Sequence, residues 1–123
     1  MIVAYRNTNI SLNKSVSPHF KLRELSCKCG NCSITLLDTR LISLLEAFRC
    51  CWKLPISPTS CFRCQEHNRS LPNSSVYSAH MIGAAVDLSL PVIGSEEFIA
   101  LAESIFPFTY YKDNFIHCGL FNQ

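Results

Sequence analysis

No part of the sequence approaches the ~20 consecutive apolar residues that a bilayer-crossing helix requires. The start, MIVAYRNTNISLNKS, turns polar after its first few apolar residues, so it also lacks the unbroken apolar centre of a secretory signal peptide. Charge of one sign is scarce. The formal total is +2, with lysine and arginine scattered along the chain, which argues against nucleic acid as a partner. Internal repeats and low-complexity tracts are missing too. These absences point to a chain made in the cytoplasm as a soluble protein, with no membrane association and no export address of its own. Hydrophobic residues at 48% and charged residues at 16% fall in the globular range, and 123 residues leave room for one core. We expect a polar lead-in over residues 1–16, extended or loosely ordered, followed by a single domain over 17–123 that acts as a monomer.

Cysteine, by contrast, is abundant, with eight residues at positions 27, 29, 32, 50, 51, 61, 64 and 118. In a secreted chain an even count indicates disulfides, whereas without a signal peptide reduced thiols or a metal site are as readily accommodated. Three readings stay open for CKCGNC, residues 27–32. Its thiols can join one more thiol or a histidine around a structural metal, pair as disulfides with Cys61 or Cys64, or pack as small apolar groups.

Periodicity predicts the elements. Leu37, Leu41, Leu44, Phe48 and Trp52 line one face at a spacing near 3.6, giving a helix over about 34–52. Thr35 and Asp38 have the form of a capping box at its start, and Pro55 lies beyond its end. PHFKLREL (18–25) reads as a turn of helix, LPIS (54–57) as a strand and residues 57–78 as a long polar loop of the kind that is usually functional. AAVDLSL (84–90) reads as a strand, and Ser95 with Glu96 and Glu97 opens a second helix to about Ile105. FTYY and NFIHCGL then form a hairpin turning at Lys112 and Asp113. The fold class is α+β, a small antiparallel sheet with two main helices packed on it.

The chemistry concentrates in SAHMIGAAVD, residues 78–87. His80 and Asp87 stand seven apart, and the small residues between them let a loop turn sharply into a strand so that both side chains converge. A catalytic zinc takes three protein ligands and keeps one position open. His117, in the apolar strand NFIHCGL, is the natural third ligand. From spacing alone, a metal site and ordinary buried side chains both remain open.

The pattern SxHxxGxAxD, carried by Ser78, His80, Gly83, Ala85 and Asp87, resembles the signature of the zinc D-Ala-D-Ala carboxypeptidase and L,D-endopeptidase family, M15-like peptidases that share their fold with the zinc-binding hedgehog domain. The resemblance runs from about Ser17 to Gly119. SPHFKLRELSCKCGNC is similar to the family's entry segment, LLDTRLISLLEAFR to its first helix, and PISPTSCFRCQEHN, with Ser60, Arg63 and Asn68, to its substrate-side strand and loop. FIH is similar to the last strand, which delivers the final ligand. The resemblance implies one catalytic zinc on His80, Asp87 and His117, with Arg63 stabilising a developing oxyanion or gripping a substrate carboxylate. Arg63, Ser78 and Asn68 become the substrate-binding set.

The resemblance also exposes a gap. Many members carry an acid three residues before the last histidine, where this chain has Asn114, and others carry one two residues after it, where this chain has Gly119. Asp113 is then the candidate general base, with Glu66 the other acid to consider. The implied activity is zinc-dependent hydrolysis of a peptide bond in bacterial peptidoglycan, by a carboxypeptidase or an endopeptidase. Its place of action is the cell wall or periplasm, and short members of the family resemble bacteriophage proteins that serve entry or lysis. Two other readings compete: a zinc-stabilised peptidoglycan-binding module with little or no turnover, and a disulfide-rich structural protein in which His80 and His117 are incidental. His19 reads as structural, His67 as a substrate binder, a proton shuttle or a solvated loop residue, and Tyr77, Tyr110 and Tyr111 as residues that line the cleft or merely pack.

Overall fold

Alternating exposure along Ile2–Arg6 marks the first residues as a strand with one wet face, and a computed structural model, which describes residues 1–72 and 78–122, places it in an antiparallel pair. In chain order the elements are β1 (Ile2–Arg6), β2 (Ser15–Ser17), β3 (Phe20–Lys21), α1 (Leu22–Leu25), β4 (Ile34–Asp38), α2 (Thr39–Trp52), β5 (Pro58–Ser60), α3 (Gln65–Ser70), β6 (Ala85–Ser89), α4 (Ser95–Ile105), β7 (Phe108–Lys112) and β8 (Phe115–Gly119), with short 3-10 turns at Ser11–Asn13 and Ala79–Ile82. Strands β1 and β4 pair, β2 and β3 pair, and the remaining four form an antiparallel sheet in the order β5-β6-β8-β7. The class is α+β, as expected. No helix among the described residues is long and apolar enough to cross a membrane.

Several boundaries differ from the sequence reading, each for a local reason. The helix expected from Ile34 starts at Thr39, because Ile34–Asp38 pairs in register with β1. Asp38, not Thr35, is the N-cap, its carboxylate accepting the Arg40 amide at 2.9 Å. The lead-in is therefore ordered where β1 runs, and the Met1 carbonyl accepts the Thr39 amide at 2.9 Å. LPIS is not a strand; the strand begins at Pro58. Gly94, not Ser95, caps α4, in a left-handed conformation.

Leu41, Leu45 and Phe48 of α2 join Phe98 and Ala102 of α4 and Val86, Leu88, Ile116 and Cys118 of the sheet in one buried cluster. Leu45, rather than Leu44, completes the buried stripe. Phe98 meets Phe48 and Trp52 edge-on, at ring separations of 4.8 and 5.0 Å. Each such side chain contributes about 1.5–3 kcal/mol when fully buried. The alternation of a strand then does the rest. Val86 opposes Cys118 and Leu88 opposes Ile116, all in the core cluster, so the intervening pair, Asp87 opposite His117, points to the other face.

Gly83 closes the 3-10 turn with φ of 69°, and its carbonyl accepts the Asp38 amide. A Cβ here would sit 2.0 Å from the Leu36 carbonyl oxygen, so β4 and the turn touch backbone to backbone. Gly30 also has positive φ, 76°, but faces open space. Gly83→Ala should destabilise the protein by about 3 kcal/mol or more, whereas Gly30→Ala should cost about 1 kcal/mol. Urea titrations of the two variants check the difference.

Candidate metal centre

Three elements deliver three side chains to one point. His80 lies in the 3-10 turn, Asp87 on β6, and His117 directly across the ladder on β8. His80 Nε2 stands 3.2 Å and His117 Nδ1 2.9 Å from the same oxygen, Asp87 Oδ1. One potential ligand atom from each residue falls within 4.8 Å of the other two. All three are buried, His80 and His117 at 2% and 3% exposure.

The hydrogen-bond chemistry fits a cation. His80 Nδ1 is 2.7 Å from the Cys61 carbonyl oxygen, which can only accept, so Nδ1 carries the proton. In the neutral ring Nε2 then turns a lone pair toward a carboxylate oxygen. Two lone pairs facing each other at 3.2 Å in a buried site repel, and a cation between them reverses the sign of that interaction. His117 Nε2 is buried with no hydrogen-bond partner among the described residues, which leaves part of that ring's capacity unused by them. Two imidazole nitrogens and a carboxylate form a donor set suited to zinc. Burial alone would raise the Asp87 carboxyl, but its contact with His117, joined by His80 when that ring carries a second proton, outweighs burial and holds it well below the ordinary carboxylate value.

Arg63 also reaches this carboxylate. Its Nη2 donates to Asp87 Oδ2 at 3.3 Å, Nη1 to Asn68 Oδ1 at 3.1 Å and Nε to Ser60 Oγ at 3.1 Å. Burial draws its pKa down while the Asp87 charge draws it up, and burial prevails; arginine still remains a cation at neutral pH. Asn68, 2% exposed, thus meets Arg63. Ser78 Oγ accepts the His80 backbone amide at 3.2 Å and opens the 3-10 turn, so it orients His80.

Two adjoining cavities border the Asp87 side of the centre. One, of about 440 Å³, is lined by Ser60, Arg63, His67, Asp87 and Asn114 among others. The other, of about 350 Å³, is lined by Arg63, Asp87, Tyr110 and Asp113 among others. Asp113 is exposed, at the β7–β8 turn with φ of 55°. Glu66 instead lines a third cavity beside Cys29, Cys32 and Cys64, away from the histidines. Tyr110 stacks on His117 at 4.8 Å and 15°, while Tyr111 is exposed. Tyr77 lies outside the described residues. His19 pairs with Glu46. The Cys61 carbonyl carries no side-chain signature that sequence reasoning could have used, whereas Tyr110 stood among the cleft candidates and only its stack on His117 is a tertiary fact.

The family model described as Peptidase M15 matches residues 18–119, most of the chain. Neither the curated proteins nor the solved structures yield a match.

Removing Arg63 would leave Asp87 Oδ2 and Asn68 Oδ1 without this donor in a buried site. Arg63→Ala should cost about 3 kcal/mol in a denaturant titration, and Arg63→Lys should recover only part, because one ammonium cannot span Ser60, Asn68 and Asp87.

Proposed function

We propose, starting from the fact that this chain belongs to the peptidase M15 family of zinc metallopeptidases, that it hydrolyses a peptide bond in bacterial peptidoglycan with zinc held by His80, Asp87 and His117. The observation that carries the reading is the convergence of two imidazole nitrogens on one oxygen of Asp87, a buried carboxylate that borders two cavities. When bound, zinc supplies a Lewis acid for the scissile carbonyl and a water acidic enough to ionise near neutral pH.

The chain's own residues supply the rest. His80 is fixed in one tautomer by the Cys61 carbonyl, which presents Nε2 without rearrangement. Arg63 has three of its five N–H groups engaged among the described residues, on Ser60, Asn68 and Asp87. It holds Asp87 and, lining both cavities, offers its remaining donors to a developing oxyanion or a substrate carboxylate. Asp113 shares the smaller cavity with Asp87 and Arg63 and serves as proton acceptor. Asn68 and Ser78 support binding indirectly, by holding Arg63 and His80.

One observation favours a second reading, a zinc-stabilised wall-binding module. Asp113 sits on an exposed turn, and apart from Asp87 it is the one acid among the described residues lining either cavity. Without Asp113 as base, the domain would recognise wall peptide and turn it over poorly.

Purified protein should carry zinc at these residues and release D-Ala or stem peptides from sacculi. His80→Ala and His117→Ala should each lose that ion and lower kcat/KM by about 100-fold or more. Asp113→Asn should lower kcat by about 10²–10⁴-fold with KM little changed. Sacculi that bind zinc-loaded protein but release nothing would replace the peptidase with the module, and unaltered turnover in Asp113→Asn would remove Asp113 as base.

A further inference from the structure

Four of the cysteines converge away from His80, Asp87 and His117. Cys27, Cys29 and Cys32 come from the loop after α1, and Cys64 is the residue that caps α3. Their sulfurs all lie within 4.8 Å of one another. Cys29 and Cys32 are 3.5 Å apart, Cys27 and Cys64 3.7 Å, and Cys29 and Cys64 3.9 Å. A disulfide would bring two sulfurs to ~2.05 Å. Thiols merely packed as apolar groups have no need of a common centre. Four sulfurs placed tetrahedrally ~2.3 Å from a zinc ion stand about 3.8 Å apart, and the three distances scatter around that value.

Backbone amides already point at these sulfurs. Asn31 N–H donates to Cys29 Sγ at 3.4 Å, Cys64 N–H to Cys27 Sγ at 3.5 Å and His67 N–H to Cys64 Sγ at 3.3 Å. Such bonds favour thiolate over thiol. A divalent cation is what lets all four ionise together. The cavity of about 470 Å³ lined by Cys29, Cys32 and Cys64 gives such an ion a route in.

We propose that Cys27, Cys29, Cys32 and Cys64 form a second metal site, a tetrathiolate zinc centre with a structural role. Four sulfur–zinc bonds form, each protonated thiol gives its proton to solvent, and no oxidation state changes. Sulfur fills all four positions, leaving none for water or substrate. The ion would clamp the 27–32 loop to the residue next to Arg63, along a segment already tied by the Phe62 amide to the Leu25 carbonyl and by the Arg63 amide to the His80 carbonyl, each at 3.0 Å.

The test uses the full chain carrying His80→Ala and His117→Ala, so the outcome does not depend on the peptidase reading. Loaded with cobalt(II) under reducing, anaerobic conditions, this variant should bind one equivalent and show an intense near-ultraviolet thiolate-to-cobalt charge-transfer band. Zinc should abolish the band, and a chelator should expose four thiols to a thiol reagent. Adding Cys29→Ser should weaken the band, and adding Cys64→Ser should do the same if that variant folds; the parent measurement stands if it does not. Should the double variant not fold, the same titration on the unmutated chain reads the same band, because imidazole and carboxylate ligands give no thiolate-to-cobalt charge transfer. A folded protein with no band, or one whose mass without reductant shows these four cysteines paired as disulfides, would overturn the proposal.

Discussion

Burying the Asp87 carboxylate is the constraint around which this fold is organised. An ionised carboxylate out of water costs several kcal/mol unless partners surround it, and here His117 from the neighbouring strand and Arg63 from the segment after β5 supply them, while His80 from the 3-10 turn faces the same oxygen with a ring nitrogen that a shared cation would join to it. The β6–β8 register sets this in place. A slip of one residue would turn Asp87 and His117 into the apolar core and expose Val86 and Cys118 in their stead. The same alternation that packs Val86, Leu88, Ile116 and Cys118 against α2 and α4 therefore fixes the centre, and core and site are one specification.

The spacing of SxHxxGxAxD acquires a physical meaning in this light. Ser78 starts the 3-10 turn by accepting the His80 amide, and Gly83 ends it where no Cβ fits against Leu36. Ala84 and Ala85, both wholly buried, admit the chain into the sheet without displacing the core, and Asp87 then falls opposite His117. Asp87 falls seven positions after His80 because one tight turn and two small residues are needed between the two candidate ligands.

How much of this the sequence disclosed follows from the range of the forces involved. The α+β class, helix α4, strand β6, the hairpin and the three candidate ligands were legible because alternation, periodicity and a short motif are local signals. The start of α2 was misjudged because Ile34–Asp38 continues an apolar pattern that a helix and a strand share, and only pairing with β1 decides between them. Arg63 was visible as a candidate, but its pairing with Asp87, 24 positions on, was not. Likewise CKCGNC showed three thiols, whereas the selection of Cys64 rather than Cys61 as their fourth neighbour is a tertiary fact. Cys61 is wholly buried, and burial pushes its thiol up to about 12, while its carbonyl serves His80 instead.

The four residues Cys61–Cys64 link these two environments, and their alternation explains how. Cys61 fixes the His80 ring through its carbonyl, Phe62 bonds back to Leu25 through its amide, Arg63 bonds to the His80 carbonyl and to Asp87, and Cys64 turns its sulfur to the thiol cluster. An extended segment sends successive side chains to opposite sides, so one short stretch can serve a histidine-carboxylate centre on one side and a cysteine cluster on the other. A fold with a single small core has few ways to hold a buried arginine still. Anchoring both flanks of that arginine, one through hydrogen bonds and the other through sulfur, confines the guanidinium to the place where Asp87 needs a countercharge.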